Sequence, residues 1–103
     1  MNSLNPPRAY PTREEFAEAL LDYINTELPI VHPKAAGHEP FERSTLLFEE
    51  GGIDSLSIIH IVSFLEAAIG DTLSLQDINM KNFRTVEHIA DLYWRLKSHE
   101  SNS

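Results

Sequence analysis

Gly52-Ile53-Asp54-Ser55-Leu56-Ser57-Ile58-Ile59-His60-Ile61-Val62-Ser63-Phe64-Leu65-Glu66-Ala67-Ala68-Ile69-Gly70 is the stretch on which the fold turns. Its isoleucines and valine suit a strand by propensity. Its length and its lack of strict alternation favour a helix over 55–69. Leu56, Ile58, Ile59, Ile61, Val62, Phe64, Leu65 and Ile69 cover more than half the circumference of such a helix, so it belongs at the centre of a domain. Asp54 is placed to cap its first turn, and Gly70-Asp71 ends it.

Outward from this helix the pattern stays helical. Thr12 and Glu15 form a capping box before Phe16, Leu20, Leu21, Ile24 and Leu28, which predicts a helix over 13–28 closed by Pro29. Residues 29–43 contain Pro29, Pro33, Gly37 and Pro40 and read as a long loop, pinned to the core by Ile30, Val31 and Phe41. A turn is expected over 45–48. Ser74 caps a short turn over 74–79, with Leu75 and Ile78 facing inward. A last helix over 85–97 buries Val86, Ile89, Ala90, Tyr93 and Leu96, with Glu87 early and Arg95 and Lys97 late, as the helix dipole favours. The expected fold class is all-α: a four-helix bundle with three longer helices, one short helix and a long first loop. One domain over 1–103 is expected, with a flexible lead-in at 1–11, a folded bundle at 12–97 and a disordered tail at 98–103.

The 103 residues hold eight basic and 16 acidic side chains, for a net charge of −8, and no cysteine. Nucleic acid would be repelled by such a chain. Without thiols there is no disulfide framework, no thiol nucleophile and no thiolate metal site. The five histidines, His32, His38, His60, His88 and His99, show no paired helical spacing, so no metal is expected. Residues 1–16 show no apolar signal core and no run reaches membrane-spanning length, which points to a cytoplasmic chain without an integral membrane segment.

The junction before the long helix carries the chemistry. Asp54 is explained as a cap; capping requires neither the next residue to be serine nor two glycines before it. A serine at the first helical position sits at the positive end of the helix dipole, a favourable seat for a phosphate. A phosphodiester on the Ser55 hydroxyl would sit there, with Gly51 and Gly52 keeping the approach uncrowded and the apolar helix holding the attachment point still. Hydrolysis is not expected, because adjacent Asp and Ser cannot form the relay in which a histidine bridges them.

Gly52-Ile53-Asp54-Ser55-Leu56 resembles the attachment motif of acyl and peptidyl carrier proteins, G-x-D-S-L/I, and the resemblance covers roughly 12–97. It implies an acyl-carrier-like bundle, not an enzyme, in which Ser55 receives 4′-phosphopantetheine from coenzyme A through a phosphopantetheinyl transferase, with Asp54 and Gly52 flanking the attachment. Acyl intermediates would be held as thioesters for acyl-loading and acyl-transferring enzymes, the chain acting as a monomer. Leu56, Ser57 and His60 would meet partners. Phe48, Ile61, Val62, Leu65 and Ile78 are candidates to line a space for the acyl chain, with ordinary core as their other reading. Carriers of primary fatty-acid synthesis usually bear acids along this helix, where Ser57 and His60 stand here. That departure implies a specialised fatty-acid, lipid or polyketide pathway. Two alternatives stay open: an aminoacyl or peptidyl carrier, and an unmodified acidic helical module that binds proteins through Tyr93, Trp94 and the apolar helix.

Overall fold

The computed structural model describes residues 10–31 and 40–100, with side chains from 10 to 30 and from 40 to 97. Among them are helices and turns and no strand: α1 (Arg13–Thr26), α2 (Leu28–Val31), α3 (Ser55–Ile69), a 3-10 turn (Leu75–Asp77) and α4 (Val86–Glu100). The expected all-α bundle is the observed one. The bounds of α3 coincide with those read from Asp54 and Gly70, which adopts the left-handed conformation at φ 77, but α3 is not the centre of the domain: it buries Ser57, Ile61, Leu65 and Ala68 and leaves Leu56 and Ile59 exposed.

α1 begins where Thr12 Oγ1 accepts from the Glu15 amide at 3.0 Å, and it buries Phe16, Ala17, Leu20 and Ile24. It stops at Thr26 rather than 28. Pro29 has no N–H to offer the carbonyl one turn back, so the chain restarts as α2, in whose first turn a proline needs no donor. Leu28 is buried all the same, but Ile30, expected to pin the following loop, is exposed. Phe41 does the pinning. Its ring is buried, its amide donates to Asn25 Oδ1 at 2.7 Å, and its carbonyl accepts from Asn25 Nδ2 at 3.1 Å. The Val31 side chain and residues 32–39 lie outside the described residues.

α4 starts with the Thr85 hydroxyl accepting from the His88 amide at 3.0 Å. Val86, Ile89, Ala90 and Tyr93 are buried as expected, Leu92 joins them, and Leu96 is half-buried. The helix runs to Glu100, so 98–100 are helical rather than a disordered tail; 101–103 lie outside the described residues. At the other end, residues 1–9 are likewise outside, but Tyr10 is not part of a free lead-in. Its amide donates to the Tyr93 hydroxyl at 2.7 Å, its carbonyl accepts from Lys97 Nζ, and its ring packs on Phe16 and Phe64. α1 packs most extensively against α4, and α3 touches both. Leu75 is a further correction. The 3-10 turn closes at Asp77 and Ile78 has left helical conformation (φ −92, ψ 86), so the two no longer share a face; Leu75 is 85% exposed while Ile78 is half-buried.

Two arginines tie the elements together. Arg13 reaches Glu87 at 2.7 Å and Asp91 at 2.6 Å on α4. Arg43 pairs with Glu14 and, at 3.1 Å each, with Glu18 and Glu87. Hydrogen bonding from Arg43 holds the Glu14 carboxyl below the ordinary carboxylate range, with the charges of Arg43 and Arg13 acting in the same direction. A carboxyl depressed in the folded state stabilises the fold above its unfolded pKa, and that contribution fades as pH falls through the folded value. Glu14→Gln should therefore show a shallower loss of melting temperature than the parent chain between about pH 6 and about pH 3. An equal slope in the two proteins would exclude the pair as a contributor.

Candidate functional site

The chain leading into α3 is clamped at three points. Leu47 is buried and its amide donates to the Arg84 carbonyl at 2.9 Å; the Leu47 carbonyl in turn accepts from Ile53 at 2.9 Å, and Ile53 is itself buried. Between them the amides of Glu50 and Gly51 both donate to the Leu46 carbonyl, at 2.7 and 3.0 Å, so the turn lies at 47–50 rather than over the expected 45–48 and does not repeat as a helix.

The two glycines have separate structural duties. Gly52 sits at φ 71, where a side chain is strained. Gly51 is buried, and a Cβ there would stand 2.2 Å from Phe41 Cε2 and 3.0 Å from the Leu47 carbonyl oxygen. The pair thus shapes the turn and admits the Phe41 ring, a more specific reason than an uncrowded approach. Gly51→Ala should cost about 1–3 kcal/mol by overpacking, read as a shifted denaturant midpoint. An unshifted midpoint would mean that the Phe41 ring moves aside freely.

Ser55 is the first residue of α3 and is exposed. Asp54 caps the helix, its Oδ1 accepting from the Ser57 amide at 3.0 Å. Behind Ser55 the helix is anchored by fully buried Ile61 and Leu65, each contributing about 1.5–3 kcal/mol of burial. The hydroxyl therefore stands on a fixed element at the edge of the bundle, beside the positive end of a helix dipole.

Ser55, Ile58 and Val62 follow one another at i, i+3 and i+7 on one edge of α3. An apolar cavity of about 200 Å³ opens on this edge, lined by Phe48, Ile58, Ile78, Asn79, Met80 and Phe83. Of the five side chains expected to line such a space, Phe48 and Ile78 do. Ile61 and Leu65 are solid core, and Val62 packs half-buried against that core. Ile58 was legible from its spacing to Ser55; Met80 and Phe83 come from a connection whose course no local pattern gives.

On the outward face Leu56 is 59% exposed, joined by Ile59 at 57%. His60 is half-buried. Ser57 corrects the expectation of a partner contact: it is 1% exposed. Its polar type suggested the surface, but its phase is that of Ile61, Leu65 and Ala68, the buried stripe of α3. Its hydroxyl lies buried with no hydrogen-bond partner among the described residues. The one carboxylate of α3, Glu66, accepts from the Leu73 amide at 2.8 Å.

Among the described residues no group of three or more His, Asp or Glu side chains is placed to hold a metal ion. Nor is any helix among them long and apolar enough to cross a membrane.

The bundle thus presents an exposed serine at the start of a long helix, one turn from an apolar cavity. No family model matches the chain. A probable acyl carrier protein, PigG, of Serratia sp. (strain ATCC 39006) is 36% identical over 58 residues, covering 56% of this chain and 67% of that protein. The chain belongs to the acyl carrier protein family. Its role is that of a carrier that meets acyl-handling enzymes, and it performs no catalysis itself.

Proposed function

We propose that the chain carries acyl cargo as a thioester on a 4′-phosphopantetheine arm joined to the Ser55 hydroxyl. The observation that carries this reading is the exposed Ser55 at the start of α3, preceded by a capping aspartate and a clamped glycine turn. The residues present fit the group: an accessible hydroxyl, the dipole of a 15-residue helix for its phosphate, and an apolar cavity one turn away. When bound, the group supplies the thiol that the chain lacks.

The chain's own contribution is position. Ser55 Oγ forms the new bond to the β-phosphorus of coenzyme A, its proton passes to a base of the transferase, and adenosine 3′,5′-bisphosphate leaves. Asp54 keeps the first turn of α3 formed, and Gly52 gives the transferase an open loop beside the serine. Phe48, Ile58 and Ile78 offer cover to an apolar cargo. The absence of a free acidic face on α3, with Ser57 buried and Glu66 engaged, supports a dedicated fatty-acid, lipid or polyketide pathway over housekeeping synthesis. One carrier domain, acting as a monomer in the cytoplasm, is part of the same reading.

Incubation with coenzyme A and a broad-specificity phosphopantetheinyl transferase tests it. Intact mass should rise by one phosphopantetheine, and peptide mapping should place the adduct on Ser55. A folded sample that gains no mass would leave an unmodified helical binding module as the better account.

A further inference from the structure

Two parts of the described surface stand out, one apolar and one basic. Leu56 and Ile59 point outward from α3, which offers no free carboxylate. A second concavity, of about 260 Å³, adjoins the apolar one and shares Met80 with it; its other walls are Glu49, Lys81, Arg84 and His88. All three basic side chains are exposed, and Met80 is 55% exposed. Arg84 reaches Glu49 only at 3.4 Å.

His88 joins them as a donor. Its Nδ1 lies 2.7 Å from the Thr85 hydroxyl, which also accepts from the His88 amide. With the hydroxyl proton directed to Nδ1, an assignment made from the hydrogen-bond network, the ring proton sits on the outward Nε2. An ammonium, a guanidinium and an imidazole N–H thus share one concavity with a single carboxylate. Elsewhere Glu14, Glu18, Glu87 and Asp91 are already engaged by Arg13 and Arg43. On a chain of net charge −8 this concavity is a local reversal of sign.

We propose that this concavity docks a carboxylate-bearing segment of an acyl-handling partner protein, with Met80 as the apolar contact beside it. Charge complementarity calls for acids on the partner here, the reverse of recognition through an acidic α3. The donors stand exposed around an exposed methionine, the composition of a protein interface rim, rather than enclosing a small ion. The proposal rests on the carrier reading for the kind of partner, but not on modification of Ser55.

The test uses the unmodified chain at low ionic strength, observed by backbone amide NMR. The probes are a short peptide alternating glutamate and leucine, its glutamine counterpart, and inorganic phosphate. The glutamate peptide should shift the amides of residues 80–88, and added salt should weaken it. Lys81→Gln/Arg84→Gln, with an unchanged melting temperature, should bind it about tenfold more weakly, as expected for two exposed charge contacts. Equal binding of the glutamine peptide, shifts confined to other residues, or undiminished affinity in the double variant would overturn the docking site. Phosphate producing the same shifts at the same concentration would overturn it too, as a small-anion site. A sample that fails here yet gains mass on Ser55 refutes the docking site alone.

Discussion

Ser55→Ala is expected to abolish the mass gain from coenzyme A and transferase completely, while leaving the fold intact. The two halves of that expectation come from different observations. The hydroxyl is the proposed acceptor, and its removal leaves no alternative beside it: Ser57, two residues on, is 1% exposed. Ser63 and Ser74 are exposed but stand in other settings, in the middle of α3 and before the 3-10 turn. The side chain of Ser55 is exposed and Asp54 caps through the Ser57 amide, so alanine opens no cavity and removes no cap. Stability should change by no more than about 0.5 kcal/mol, the usual range for a surface substitution. Intact mass and thermal melting, run on the same sample, give both readings. Residual labelling of the folded variant would move the attachment to another hydroxyl; loss of the fold would leave Ser63→Ala, which should label fully, as the control.

The three longer helices were legible because each is written locally, whereas α2 was hidden by Pro29, which signals a stop and not a restart. Asp54 and Gly70 bracket α3, Thr12 opens α1, and the spacing of Val86, Ile89, Ala90 and Tyr93 marks the buried side of α4. The candidate site was legible in its motif, Gly52 to Leu56, and illegible in its surroundings. The residue type of Ser57 points to the surface, but its phase, shared with Ile61 and Leu65, decides its burial. Helical spacing would turn Leu75 inward with Ile78, but a three-residue 3-10 turn does not sustain that spacing. The Asn25 clasp on Phe41, the ion pairs of Arg13 with Glu87 and Asp91 and those of Arg43 join residues between 16 and 78 positions apart, and no periodicity carries that information. The same limit hid Met80 and Phe83 from the cavity wall. Close approach explains Gly51 only once the Phe41 ring is in place.

Tyr93→Ala is expected to have the largest effect on stability, and Tyr93→Phe separates its causes. Tyr93 is fully buried; its ring stacks on Phe16 at 4.2 Å with planes 7° apart, joining α4 to α1. Tyr10 meets it edge-on at 6.3 Å, and Lys97 Nζ lies 5.8 Å from its centroid. Truncation to alanine removes the ring between the two helices that pack most extensively, at a cost of about 3–5 kcal/mol. Against a domain stability on the order of 5–15 kcal/mol, that leaves a marginal fold. Phenylalanine keeps the stack and loses only the hydroxyl, which accepts from the Tyr10 amide and donates to its carbonyl at 3.1 Å. Tyr10 is part-buried, so water replaces some of what is lost, and the cost should be about 1 kcal/mol. Denaturant midpoints measure both variants, and amide exchange at Tyr10 should speed up in Tyr93→Phe while the α3 amides stay protected. A phenylalanine variant as unstable as the alanine one would place the energy in the hydroxyl rather than the stack. The Ser55 turn is clamped by separate contacts through Phe41, Leu47 and Ile53. Tyr93→Phe should accordingly label like the parent chain, since α3 and its leading turn keep their anchors when the Tyr10 tether is cut.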